Sequence, residues 1–452
     1  MNKYEPVIGI EVHVELNTKT KMFCKCSADY FGKAPNTHTC PVCLGLPGAL
    51  PMINEEAIKK CIQIGLALNC TVNEKALFER KNYFYPDLPK GYQISQLVFP
   101  LNINGWLEIE DENGQVKKIR INRAHQEEDT GKLTHIGGET LIDFNRSGVP
   151  LVEIVTEPDF NSSAQVKDYA KKLQQIFRYL GVSSADMERG DMRLEANVSV
   201  RKIAASPSAP RNENTLPPYR VELKNINSFR FMQAAIEYEI KRQIEALENE
   251  EVLTQETRGW NEAKKETYLQ RSKEEAHDYR YFPEPDLPRL QVDSMQGTVD
   301  SINLRMPELS AEKMDRFQKV YQLNKAQAII LTESKEMADY FEKALELGKS
   351  QNITPTQIAN LIINKKININ KVSSEELAAQ IAGKTTGIIS DEEELKKLAQ
   401  EAIEENPKAA EDYKSGKENA LQVLIGAVMR QSAGKADVGK VKEILAKLLQ
   451  NP

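Results

Sequence analysis

The chain has 452 residues, 60 Lys+Arg against 66 Asp+Glu, and a net charge of −6. Such a length sets roughly two to four domains, and the charge balance excludes a uniformly basic nucleic-acid wrapper, so any bound nucleic acid must meet a local basic surface. Apolar runs such as Val423 to Met429 fall far short of the roughly 20 residues of a membrane span. Residues 1–20 lack an apolar stretch behind a basic start. A cytoplasmic, multidomain protein without membrane contact is expected.

In chain order, the first element is a strand, Val7 to Leu16. Ile8, Ile10, Val12, Val14 and Leu16 share one face, and Gly9, Glu11, His13 and Glu15 the other. Cys24, Cys26, Cys40 and Cys43 follow as C-x-C-x13-C-x-x-C, two close thiol pairs with Pro41 and Gly45 to turn the chain. That spacing predicts a tetrahedral zinc knuckle, structural because four protein ligands leave no open position. The other cysteines, Cys61 and Cys70, flank the apolar pattern of a helix at 54–69 and read as small buried hydrophobes.

The acidic run His125 to Asp129 comes next, then a helix at 162–180 with Asn161, Ser162 and Ser163 as cap candidates. A second alternating strand runs from Asp191 to Arg201, with Arg193, Glu195, Asn197, Ser199 and Arg201 on its polar face. Residues 204–218, rich in Ser, Pro and Asn, read as a surface loop. A third strand, Tyr219 to Lys224, presents Arg220, Glu222 and Lys224, and a helix follows at 230–249. Three prolines within 281–290 mark a domain exit. Beyond Pro307 helical periodicity takes over, with a further boundary near Gly387 where Ser390 and Asp391 cap an acidic helix.

The expected fold is α+β. A cradle-like body on an antiparallel sheet (1–293) carries the zinc knuckle, followed by a helical linker domain (294–386) and a small all-α tail (387–452). An antiparallel sheet with one packed and one wet face explains any single strand. Ordinary wet faces, however, favour Thr, Lys and β-branched residues, whereas these present Glu, His, Asn and Arg. Carboxylates suit Mg²⁺ and guanidinium forks suit phosphate, so the polar face is expected to hold a metal-dependent site. Neither G-x-x-x-x-G-K-[ST] nor G-x-G-x-x-G occurs, so any ATP is held without a P-loop.

Longer motifs then carry a resemblance. IDFNRSGVPLVEIVTEP (142–158), KNYFYPDLPKGYQISQ (81–96), HQEEDTGK (125–132), ELKNINSF (222–229), EEAHDYRYFPEPDLP (274–288), the opening VIGIEVHVEL and the tail stretch 405–430 resemble the B subunit of the aspartyl/glutamyl-tRNA amidotransferase over nearly the whole chain. The resemblance implies a kinase body joined to a tRNA-binding tail. Mg²⁺ and ATP would serve to phosphorylate the side-chain carboxylate of misacylated Glu-tRNA(Gln) or Asp-tRNA(Asn). Ammonia channelled from the A subunit, an amidase, would displace phosphate. A small C subunit completes the implied heterotrimer.

By the same resemblance Glu11 and His13 match the metal-binding strand, Glu127 or Glu128 joins them, and Glu195 and Glu222 supply nearby acidic groups. Lys81 and Arg193 are the candidates for ATP phosphate contacts, and Glu153 is placed in the ammonia path. Asn145 and Arg146 either belong to the site or fix a turn near Gly148. The four cysteines match a zinc knuckle found in part of the family. The stretch between Ile369 and Ile388 is shorter than the family leads one to expect. The segment 405–452, with eight Lys/Arg against six Asp/Glu, is mildly basic and suits a tRNA contact. A zinc-containing RNA-binding scaffold with a merely solvated acidic face, and a free-standing amino-acid ligase, are the competing readings.

Overall fold

The computed structural model describes residues 3–111, 114–203, 216–272, 278–291, 296–351, 353–385, 391–415, 417, 419–432 and 436–450. They form two compact units, 1–312 and 313–452. The first is built on a nine-stranded sheet. In chain order its strands are β1 (Tyr4–Glu15), β2 (Thr71–Val72), β3 (Asn102–Glu110), β4 (Val116–Glu128) and β5 (Pro150–Thr156). They continue as β6 (Met192–Lys202), β7 (Val221–Ile226), β8 (Glu256–Asn261) and β9 (Glu266–Ser272). Across the sheet the order is β9-β8-β7-β6-β1-β5-β4-β3-β2. Every neighbouring pair is antiparallel except β7 and β8, which run parallel.

The alternation read from the sequence decides which face is dry. Ile8, Ile10, Val12 and Val14 of β1 are buried with Met192, Leu194, Ala196 and Val198 of β6 and with Val152 and Ile154 of β5. Helices α1 (Glu55–Ala67), α2 (Ser163–Leu180) and α3 (Phe229–Glu248) contribute Ile58, Ile62, Val166, Leu173, Phe177, Met232 and Ile236 to the same core. Each starts at a side-chain cap that satisfies a free amide: Asn54 accepts from Glu56 and Ala57, Ser162 from Gln165, and Ser228 from Phe231. Cys61 and Cys70 are buried, as small hydrophobes should be, and burial pushes both thiols up.

The proline-rich stretch 281–290 does not leave the body. Phe282 and Pro283 pair with Arg80 and Glu79, and Leu290 pairs with Ala76. Buried Glu284 takes a two-pronged contact from Arg80, at 2.7 and 2.8 Å. Helix Gln296–Leu304 adds Val299 and Ile302 to the first core, which carries the unit past the expected end at 293 to Glu312. Residues 204–215 of the expected surface loop, and Ser390 of the expected tail cap, lie outside the described residues.

The elements of the second unit among the described residues are helices. One core gathers Phe317, Phe341, Ile358, Ile362 and Leu377, and another gathers Leu395, Ala399, Leu424, Val428 and Leu445. Helix Glu392–Glu405 begins at Asp391, whose side chain makes no capping bond. No described helix is long and apolar enough to cross a membrane.

Candidate metal and phosphate site

The polar face of the sheet concentrates acid. His13 of β1 pairs directly with Glu153 of β5, which in turn pairs with His125 of β4. Cross-strand partners project from the same face, and Glu127, two residues beyond His125, projects there too. His13, Glu127 and Glu153 thereby bring one ligand atom each within 4.8 Å of one another. His13 Nε2 lies 3.6 Å from Glu153, and His125 Nε2 lies 3.4 Å from both Glu153 and Glu127. Lys81, on strand Glu79–Asn82, reaches to 4.0 Å from Glu127.

Burial opposes charge on every member, yet the neighbours win. Glu127 is held below the usual carboxylate range, against desolvation, chiefly by Lys81, and Glu153 well below it by the two histidines and Lys81. His13 is pushed up to about 9 against desolvation by the Glu153 hydrogen bond and charge. Two carboxylates and an imidazole converging with a lysine alongside suit an oxygen-preferring divalent ion. Buried His125 keeps one ring nitrogen, Nδ1, without a hydrogen-bond partner among the described residues.

Glu11 does not join that cage. It faces Glu195 across the β1–β6 pair and groups with Glu195 and Glu222 in a second carboxylate cluster, where Asn197 donates to Glu11 at 2.9 Å. Glu128 points the other way along β4: it accepts from the Ile94 amide at 2.9 Å and from Lys90. Of the acidic pair, Glu127 therefore faces the cage. Arg193 is drawn off by buried Asp129 and, at 3.8 Å, by Glu15, so its guanidinium is an ion-pair partner before it can be a phosphate ligand. Glu153 and His125 are the residues that sequence reasoning does not assign to the metal. The signal for both is non-local, in the registers of β1, β5 and β4.

The four cysteines do converge. Their sulfurs lie within 4.8 Å of one another, a set that fits tetrahedral zinc. The first pair sits on a turn closed by the Thr20–Ser27 bridge, the second on one closed by Leu44 N–H to Cys40, with Gly45 at φ 65°. Fully buried Lys21 donates to Cys43 Sγ at 3.7 Å and to the Phe144 carbonyl at 3.3 Å. A cation there offsets thiolate charge that burial would otherwise penalise. Lys21→Met should therefore speed zinc release to a chelator by about 10-fold, measured with a chromogenic chelator; a wild-type release rate would refute the role.

The cysteine loop is also stitched to the 142–148 signature. Asn145 accepts from the His38 amide and donates to the Ala34 carbonyl, both at 2.7 Å, and the Met22 amide donates to Gly148 at 2.7 Å. Arg146 holds the Thr130 and Gly131 carbonyls at 3.0 and 2.7 Å and pairs with Asp129 at 3.7 Å. Both residues thus fix the turn at Gly148, which takes φ 86°.

The class defined by this sheet and its acidic face is that of a family model described as the GatB/GatE catalytic domain, which matches residues 6–297; a second, described as the GatB domain, matches 317–449. Curated relatives, each named as the B subunit of an aspartyl/glutamyl-tRNA(Asn/Gln) amidotransferase, are similar over full length. The Thermotoga maritima protein is 43% identical over 491 aligned positions, covering 99% of each chain. Those of Carboxydothermus hydrogenoformans and Brevibacillus brevis are 43% and 42% identical, covering 98% and 100% of each chain. The chain belongs to the family of aspartyl/glutamyl-tRNA(Asn/Gln) amidotransferase B subunits.

Proposed function

We propose that the chain is the kinase and transamidase subunit of a glutamine-hydrolysing tRNA amidotransferase, acting on Glu-tRNA(Gln), Asp-tRNA(Asn) or both. The observation that carries this reading is the convergence of His13, Glu127 and Glu153 with Lys81 beside them. An oxygen of the substrate's side-chain carboxylate attacks the γ-phosphorus of ATP, ADP leaves, and the acyl phosphate takes ammonia at carbon, expelling phosphate. The order is chemical: carboxylate is a poor acyl donor, whereas phosphate is a good leaving group. His13, Glu127 and Glu153 would hold Mg²⁺, which when bound neutralises phosphate charge. Glu11, Glu195 and Glu222 shape the adjoining part of the face, and Lys81 supplies a fixed positive charge for phosphate oxygens.

The ammonia comes from a partner amidase, and a small third component completes a heterotrimer working in the cytoplasm. The helical domains divide the remaining work. Residues 313–386 connect, and the tail, 387–452, contacts tRNA through its mildly basic segment 405–452. The four cysteines hold a structural zinc.

The test is phosphate release by the chain with its amidase partner, ATP, Mg²⁺ and each misacylated tRNA, without an ammonia donor. Release that needs the charged tRNA and is lost in Glu127→Gln supports the reading and shows which tRNA is served. No tRNA-dependent release with either would favour a tRNA-holding scaffold. Lys81→Met should lower turnover by about 10²-fold with bound manganese unchanged; equal turnover would remove Lys81 from the phosphate site.

The protonation state of His13 predicts a pH dependence. Below about 9 the imidazole is protonated in the metal-free cage, and it must lose that proton to ligate. Metal affinity should therefore rise as pH rises from 7 toward 9, with a proton released on binding. Calorimetry in buffers of different ionisation enthalpy reads that proton directly, and a pH-independent affinity would exclude His13 as a ligand.

A further inference from the structure

We propose that Lys224 is the resident cation of the second carboxylate cluster and closes it to divalent ions, so that the sheet face carries one exchangeable metal and one built-in ammonium. The proposal rests on the metal-dependent reading of the first cage. Glu11, Glu195 and Glu222 come from β1, β6 and β7 and place their oxygens within 4.8 Å of one another. By donor chemistry alone such a set invites a hard divalent cation. Lys224, however, follows Glu222 by two residues on β7 and so projects from the same face. Its Nζ lies 2.9 Å from Glu195 and 3.3 Å from Glu222.

The other donors around the cluster complete the enclosure. Thr257 on β8 donates to the second oxygen of Glu222 at 3.0 Å, and Asn197 donates to Glu11. Each carboxylate therefore already accepts from a fixed donor belonging to the chain. A divalent ion entering there must displace an ammonium tethered by its own strand and strip these hydrogen bonds. In the first cage Glu127 also accepts from Ser95 and, at 3.2 Å, from Gln93, and the difference lies in the cation: its nearest ammonium, Lys81, stands off at 4.0 Å from Glu127. Two residues along β1 separate Glu11 from His13, about 6.6 Å, so the ammonium and the exchangeable ion would sit side by side. Lys224 would thus fill the place that a second metal takes in two-metal phosphoryl-transfer sites. It acts as a positioning residue, through Glu195 and Glu222.

The readout is the number of manganese ions bound by the zinc-loaded full-length chain with Mn²⁺ alone, counted by electron paramagnetic resonance and by elemental analysis after equilibrium dialysis. Wild type should bind one, Lys224→Met two, and Lys224→Arg one. Lys224→Gln, uncharged but still able to donate, should also bind two and serves if the methionine variant fails to fold. Glu153→Gln in the Lys224→Met background should keep one ion, that of the second cluster. Two ions in wild type, or no gain in both uncharged variants, overturns the proposal. A wild type that binds none while Lys224→Met binds one would support the role of Lys224 and count against the first cage alone.

Discussion

Replacing Glu153 by Gln should lower tRNA-dependent phosphate release by about 10²–10³-fold while leaving the sheet folded. Glu153 is the hub of the cage: it sits 3.6 Å from His13, 3.4 Å from His125 and 3.9 Å from Arg123. The amide keeps the shape but removes the negative charge on which these groups converge. His13 also loses the partner that raises it, so it should titrate nearer the ordinary value of about 6.5. Because the strongest upward influence on His13 is its Glu153 hydrogen bond, the rise of metal affinity with pH should level off at lower pH in the variant. Loss of rate together with that shift marks Glu153 as a ligand. Loss of rate with an unmoved pH profile would return it to the ammonia path, and a rate within twofold of wild type would remove it from the chemistry.

The second large effect concerns zinc. Structural zinc sites contribute on the order of 10 kcal/mol to the folding of the segment they close. Cys43→Ser should therefore lose the ion and release the loop from about residue 20 to 48. Release should not stop there, because Asn36, His38 and Cys43 hold Phe144, Asn145 and Ser147 by backbone and side-chain bonds of 2.7–3.3 Å. Hydrogen exchange should accelerate in 20–48 and in 143–149 together, leaving β1 and β6 protected. Elemental analysis showing no zinc in wild type would dispose of the knuckle. Zinc loss with unchanged exchange at 143–149 would show that the two loops are independent.

Sequence patterns disclose the sheet's two faces because a period of two is local: Glu11, His13, Glu195 and Glu222 are visible from alternation alone. Glu153 is hidden in β5, where every residue from Pro150 to Ile154 is buried and no alternation marks a polar face. Only its register against His13 reveals it. The choice between Glu127 and Glu128 likewise needs the placement of β4 against strand Tyr92–Ser95, whose Ile94 amide claims Glu128. Arg193 looks free in the sequence because its acceptor, Asp129, is far away along the chain. The prolines of 281–290 suggest an exit because Pro cannot continue an inner ladder, yet a short edge strand tolerates one. Helix positions are legible from their caps and apolar spacing, and the structure places them within a residue or two.

The two-pronged contact of Arg80 with Glu284 joins residues 204 apart in the chain. Strand Glu79–Asn82, which carries Lys81, is bordered by Phe282–Pro283, and the Asn82 amide donates to the Tyr279 carbonyl at 2.8 Å. During synthesis this edge must wait until nearly the whole first unit has left the ribosome. Nascent chains stalled before residue 279 would expose the lysine strand without its final neighbour, and such long-range pairings form slowly. The edge that carries Lys81 should thus be completed late, near the end of synthesis of the body, and shorter nascent chains would lack the strand that borders it.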